Sequence, residues 1–122
     1  MAALHAAWGL GSAWPAPDRA RLAAAVVGGD AVPGPLACHA AAGALTAGAV
    51  LTQLAIRGGQ AYPLARRGVR AMSAALATRA AAGLVLSGLA NAGPPAYRRL
   101  DLIVYSPICL CLAVLGRRVA PR

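Results

Sequence analysis

The stretch RRLDLIVYSPICLCLAVLGRR, Arg98 to Arg118, carries arginine pairs at both ends and sets Asp101, Tyr105, Ser106, Pro107 and Cys109 into an otherwise oily run. A segment that only filled a bilayer would use leucine, isoleucine and valine, because each polar group in hydrocarbon costs free energy. Asp101, Tyr105 and Cys109 stand at i, i+4 and i+8, which on a helix aligns a carboxylate, a phenol and a thiol along one stripe. Pro107 cannot donate to the carbonyl of Ile103, so an acceptor is freed, the helix is open to a kink, and Ser106 is placed to compensate locally. Two roles fit such a stripe: an internal site for a small amphiphilic molecule, or a buried polar clamp between helices.

The preceding apolar stretch holds the complementary charge. An arginine near the centre of a membrane helix costs about 2.5–3.5 kcal/mol, while Leu76, Leu84, Val85, Leu86 and Leu89 contribute only about 0.3–0.6 kcal/mol each. Arg79 is therefore expected to turn inward to a partner. Asp101, the acidic residue inside or beside an apolar segment, is the expected one. With opposed helices the two Cα atoms differ in depth by roughly 10 Å, a gap for the long side chain, tilt or a water to bridge. Snorkelling of Arg79 to the headgroups is the alternative. At the other end of the chain His5 and Trp8 lie three apart and share a helix face, with Trp8 expected on the stripe of the last helix and His5 reaching Tyr105 or Arg79.

Composition says what must position these groups. Of 122 residues, 59% are hydrophobic and 12% charged, against roughly 25% charged in a soluble domain, which makes lipid the solvent. Four apolar segments follow, at about 1–14, 36–56, 71–90 and 100–116, and the fold class expected is all-α, a four-transmembrane-helix bundle with short loops forming a single domain over 1–122. The segment 36–56 has 21 residues without a charge, close to the roughly 20 that cross the hydrocarbon. The first has only 14 before Pro15, too few to cross unless the true start lies upstream or the helix is short, and it lacks the positive start of a signal peptide, so it reads as a helix and not as a cleaved leader.

The arginines order the segments. Arg57, Arg66, Arg67 and Arg70 lie between the second and third, and Arg117, Arg118 and Arg122 after the fourth; Arg19, Arg21, Arg98 and Arg99 lie on the other side. Seven against four places both termini in the cytoplasm, in a multi-pass protein of the inner membrane. Net charge of +9 would suit nucleic acid, but here the arginines bracket apolar blocks, the pattern of headgroup contact. The partners expected are thus the lipid bilayer and, left open, a second copy or another membrane protein, and no nucleic acid. Gly58 and Gly59 read as helix stops, Tyr62 and Tyr97 as interfacial aromatics, and Pro94 and Pro95 as a sharp break. Asp18 could cap a short surface helix ending at Gly28, with plain loop the alternative. Ala40, Ala44 and Gly48, and Gly83 with Ser87, offer small-residue packing faces.

Catalysis would need a base beside Ser106, Cys109 or Cys111, and only His5 or His39 is on offer. Cys109 and Cys111 are two apart and face different ways, Cys38 lies in another span, and the two histidines stand at different depths. No catalytic residue, metal or cofactor is assigned.

The residues resemble a known family. LDLIVYSPICLCL is similar to an LDxxxYSPxCLxL ending, and LHAAWGLGSAW to an LHxYWxxGGxW opening, of small bacterial membrane proteins grouped as the domain of unknown function 3995 family. The Pro33–Gly34–Pro35 sequence before the second segment and an arginine inside the third, here Arg79, extend the resemblance over nearly the whole chain; Ala7 and Ser12 depart from the opening motif. It implies a four-helix integral membrane protein whose first helix is truncated at its N-terminus here, since family members usually have apolar residues before the histidine motif, and it implies no activity. The function expected is structural or accessory, with a binder or transporter of a small amphiphile, or a membrane enzyme, as the alternatives built on the same polar cluster: His5, Trp8, Arg79, Asp101, Tyr105, Ser106, Pro107 and Cys109.

Overall fold

The computed structural model describes residues 1–58 and 62–121, so the expected stop at Gly59 and the terminal Arg122 lie outside the described residues. Five helices follow in order: α1 over Ala2–Gly9, α2 over Arg19–Val26, α3 over Pro35–Gly58, α4 over Pro63–Leu89 and α5 over Pro95–Val119, with no strand among the described residues. Helices α3, α4 and α5, of 24, 27 and 25 residues, are long and apolar enough to cross a membrane.

The first segment does not run to residue 14. Helix α1 stops after 8 residues, a rise of about 12 Å at ~1.5 Å per residue. Its end is a Schellman turn: Ser12 N–H donates to the Ala7 carbonyl and Gly11 N–H to that of Trp8, with Gly11 at φ +98°, a value that suits glycine. Gly9 sits on Cys38 and His39 near the start of α3, so α1 runs down along α3. Helix α2 forms where Asp18 accepts from Arg21 N–H at 2.7 Å, and it buries Leu22 against Trp8 and Cys38, with Val26 packed beside them. The helix reading of this connection thus holds over the plain loop, with the end at Val26 and not at Gly28, and the helix is anchored to α1 and α3.

The expected spans 36–56 and 100–116 lie inside α3 and α5, and 71–90 overruns α4 by one residue, but α4 and α5 begin earlier than expected. Pro63 and Pro95 each occupy the first turn, where the missing N–H would have no partner anyway. Arg66, Arg67 and Arg70, expected in a loop, therefore ride the first two turns of α4, and Arg66 Nη2 and Arg70 Nη1 donate to the Pro121 carbonyl at 3.1 and 3.2 Å. Helix α4 packs most extensively on α5. Its buried positions Ala65, Val69, Ser73, Ala80, Gly83 and Ser87 face Ser106 and Ala113 of α5 and Ala120 just past its end, the latter three spaced by sevens. Such a seam of small residues brings the two backbones close. On α3, Gly48 is buried against Met72, whereas Ala40 and Ala44, expected on the same packing face, are exposed.

Two stretches depart from α geometry, Leu84–Leu89 in α4 and Asp101–Tyr105 in α5, both π-helical and packed on each other. In the second, Ser106 N–H bonds the carbonyl of Asp101, five residues back. The widened turn comes just before Pro107, whose absent N–H leaves the Ile103 carbonyl without its usual donor. The helix continues through to Val119.

Candidate functional site

The polar residues of α4 and α5 meet where the two π stretches touch. Arg79 Nη2 donates to Asp101 Oδ1 at 2.7 Å and lies 3.4 Å from the Tyr97 hydroxyl. Ser87 Oγ donates to Asp101 Oδ2 at 2.6 Å, and Ser106 Oγ lies 3.4 Å from Oδ1. Every carboxylate oxygen is thus satisfied, and Asp101 is 1% exposed. The helix starts explain the match in depth. Asp101 stands six residues, about 9 Å, into α5, and Arg79 ten residues, about 15 Å, from the end of α4, so the offset is about 6 Å and within the side chain's reach.

Around this pair the expected stripe is rearranged. The π turn adds a residue to one turn of α5, so the partner of Asp101 on the buried face is Ser106 at i+5 and not Tyr105 at i+4. Ser106 accordingly bonds the carboxylate of Asp101 and does not compensate for Pro107, which is exposed. Tyr105 is half-buried, and its hydroxyl donates across to the Ala25 carbonyl of α2 at 3.2 Å. Cys109 is half-buried and has no hydrogen bond to the cluster among the described residues. Trp8 packs on Leu22 and Cys38, not on α5, and its Nε1–H donates to the Trp14 carbonyl at 2.7 Å. The His5 ring lies 5.0 Å from the Trp8 ring, tilted by 53°, and has Nδ1 3.1 Å from the Met1 carbonyl; neither Tyr105 nor Arg79 is its hydrogen-bond partner.

Three contributors were absent from the sequence-based cluster. Ser87 reads in the sequence as a small packing residue with Gly83; the signal for its polar role is that it is the lone hydroxyl of LVLSGL, eight residues after Arg79. Tyr97 reads as a boundary aromatic, yet it reaches Arg79 because α5 begins at Pro95. Arg98 Nε donates to the Ser87 carbonyl at 3.0 Å and its Nη2 bonds Asn91 Oδ1, fastening the end of α4 to the first turn of α5.

Two cavities open at Arg79. One, of about 340 Å³, reaches Asp101, Ser87 and Tyr97 between the α4–α5 connection and Gly28. Gly28, at φ +73°, permits that approach, since a Cβ there would lie 2.8 Å from the Tyr97 ring. The other, of about 550 Å³, lies between the α1–α2 pair and α4–α5, and brings His5, Trp8, Arg79 and Tyr105 to one apolar cleft with Leu4, Leu22 and Leu100. Arg79 is shared by both, and its side chain is 41% exposed although its partner is fully buried. Chemically the arrangement offers hydrogen-bond donors at the wall of an apolar cleft. It does not pair a nucleophile with a base: among the described residues no histidine bonds Ser106 or Cys109.

The family described as "Protein of unknown function (DUF3995)" matches residues 1–116. No curated protein and no solved structure matches the chain.

Proposed function

This chain belongs to the DUF3995 family of proteins of unknown function, and on that premise we propose that it is an integral membrane protein, one domain over 1–122, that holds a small amphiphilic molecule against Arg79. The observation that carries this reading is the unequal burial of the ion pair. Asp101 is sealed at 1% exposure, while the Arg79 side chain is 41% exposed and lines an apolar cleft of about 550 Å³, within the roughly 300–1,000 Å³ of small-molecule sites. A clamp alone would have no use for the open half of the guanidinium.

The structural or accessory reading retains the other half of the site. Asp101 with Ser87, Ser106 and Arg79 locks α4 to α5, and this lock presents Arg79 to the cleft. In the bilayer, α3, α4 and α5 cross and α1 takes the fourth place of the bundle, along α3. Arg57, Arg66, Arg67, Arg70, Arg117 and Arg118 cluster at the ends of these helices opposite Arg98 and Arg99, which supports a cytoplasmic C-terminus in the bacterial inner membrane.

Native mass spectrometry of protein extracted in mild detergent tests the binding reading. A retained small-molecule mass is expected on the wild type, and it should disappear when Ala16→Phe fills the cleft from its wall. A wild type that carries nothing leaves the clamp as the whole role of the cluster.

A further inference from the structure

We infer that the occupant of the larger cleft is a single-chain amphiphile with a carboxylate head, bound head-first on Arg79 with its chain against the α1–α2 pair. This rests on the binding reading above and adds the chemical class.

The argument begins with the unused donors. Arg79 engages the protein through Nη2 alone, toward Asp101 and Tyr97. Nε and Nη1 have no hydrogen-bond partner among the described residues; Nη1 lies against Gly83 at the α4–α5 seam, and because no buried side-chain nitrogen there lacks a partner, Nε is an accessible donor. An arginine N–H left without a partner donates a charge-assisted hydrogen bond to a carboxylate oxygen. Charge agrees with geometry. Asp101, held on its own side by Ser87 and Ser106, does not line the larger cleft, whose ionisable groups are His5, Arg79 and Tyr105 with no acidic residue among them. Outside it, Arg19 donates to the carbonyls of Trp8 and Ser12, adding a second cation on the α1–α2 side. A phosphate head would bring further acceptors and charge into a cleft otherwise walled by Leu4, Trp8, Pro15, Leu22, Val26 and Leu100, where unpaired polar groups are costly. The same apolar wall accepts an alkyl chain.

Trp8 reports on the cleft directly. The chain has two tryptophans, and Trp14 is 69% exposed, so Trp14→Phe leaves Trp8 as the single probe on the cleft wall. In this full-length background in detergent, 9,10-dibromostearic acid should quench Trp8 saturably, with an apparent Kd at least tenfold below that of its methyl ester, and oleate should relieve the quenching. The double variant Arg79→Gln, Asp101→Asn removes both charges together and so avoids a lone buried carboxylate; it should bind acid and ester alike. Equal binding of acid and ester by the Trp14→Phe protein would overturn the carboxylate assignment and leave an amphiphile site with a neutral head. Saturable quenching by neither would overturn the binding reading itself. An acid preference that survives in the double variant would show that Arg79 is not what reads the head.

Discussion

At the residue scale, the ion pair is lopsided, and its two halves should fail differently. Arg79→Ala leaves Asp101 fully buried without its cation, a loss on the order of 3–5 kcal/mol. Asp101→Asn keeps an acceptor for Ser87 and leaves a guanidinium that can turn into a cavity, so a smaller loss of about 1–3 kcal/mol is expected. A double-mutant cycle on thermal unfolding in detergent checks this: the combined change should cost less than the sum of the singles, and additive losses would contradict the contact. Ser87→Ala should cost about 1–3 kcal/mol by the same measurement, because it strips a carboxylate oxygen of its donor at full burial. Arg79 and Asp101 are conspicuous in the sequence because opposite charges in apolar segments have few ways to be satisfied. Ser87, Tyr97 and Arg98 are not, since serine and boundary tyrosine or arginine are ordinary in membrane helices; their role depends on where α5 starts.

At the element scale, the seam between α4 and α5 depends on glycine where the polar cluster crosses it. A Cβ on Gly83 would overlap Ser106 Oγ and come within 2.6 Å of Arg79 Nη1 and 2.8 Å of Asp101 Oδ2. Gly83→Ala should therefore cost about 1–3 kcal/mol and loosen the pair. Gly48→Ala on α3 meets only the end of the Met72 side chain, which can bend away, and should lower the melting temperature less. The reverse order would mean that the α3–α4 contact, not the α4–α5 seam, limits packing. Hydropathy located α3, α4 and α5, because length and apolarity are what a crossing helix needs. It missed the π stretches, because five or six residues are too few for a periodicity to separate a turn of normal width from one widened by a residue. The starts of α4 and α5 precede the apolar runs because arginine and proline, which read as loop in a sequence, both suit a first turn at a membrane boundary.

At the scale of the whole molecule, reporter fusions should give a cytoplasmic signal at Arg118 and an external one near Gly93; exchange of the two signals would invert the bundle. The long separation in sequence between the halves of the ion pair also bears on how the protein is made. Asp101 follows Arg79 by 22 residues. At roughly 5–20 residues per second, the ribosome has produced α4 and its arginine about one to four seconds before the counter-ion exists. During that interval Arg79 bears an insertion penalty of about 2.5–3.5 kcal/mol that the helix's own leucines barely offset. Helix α4 should therefore wait at the translocon and partition into lipid together with α5, as a hairpin. In a cell-free insertion assay, chains ending at Gly93 should leave α4 largely outside the bilayer, and chains that extend through α5 should restore it; efficient insertion of the shorter chain would mean that Arg79 finds lipid headgroups while it waits.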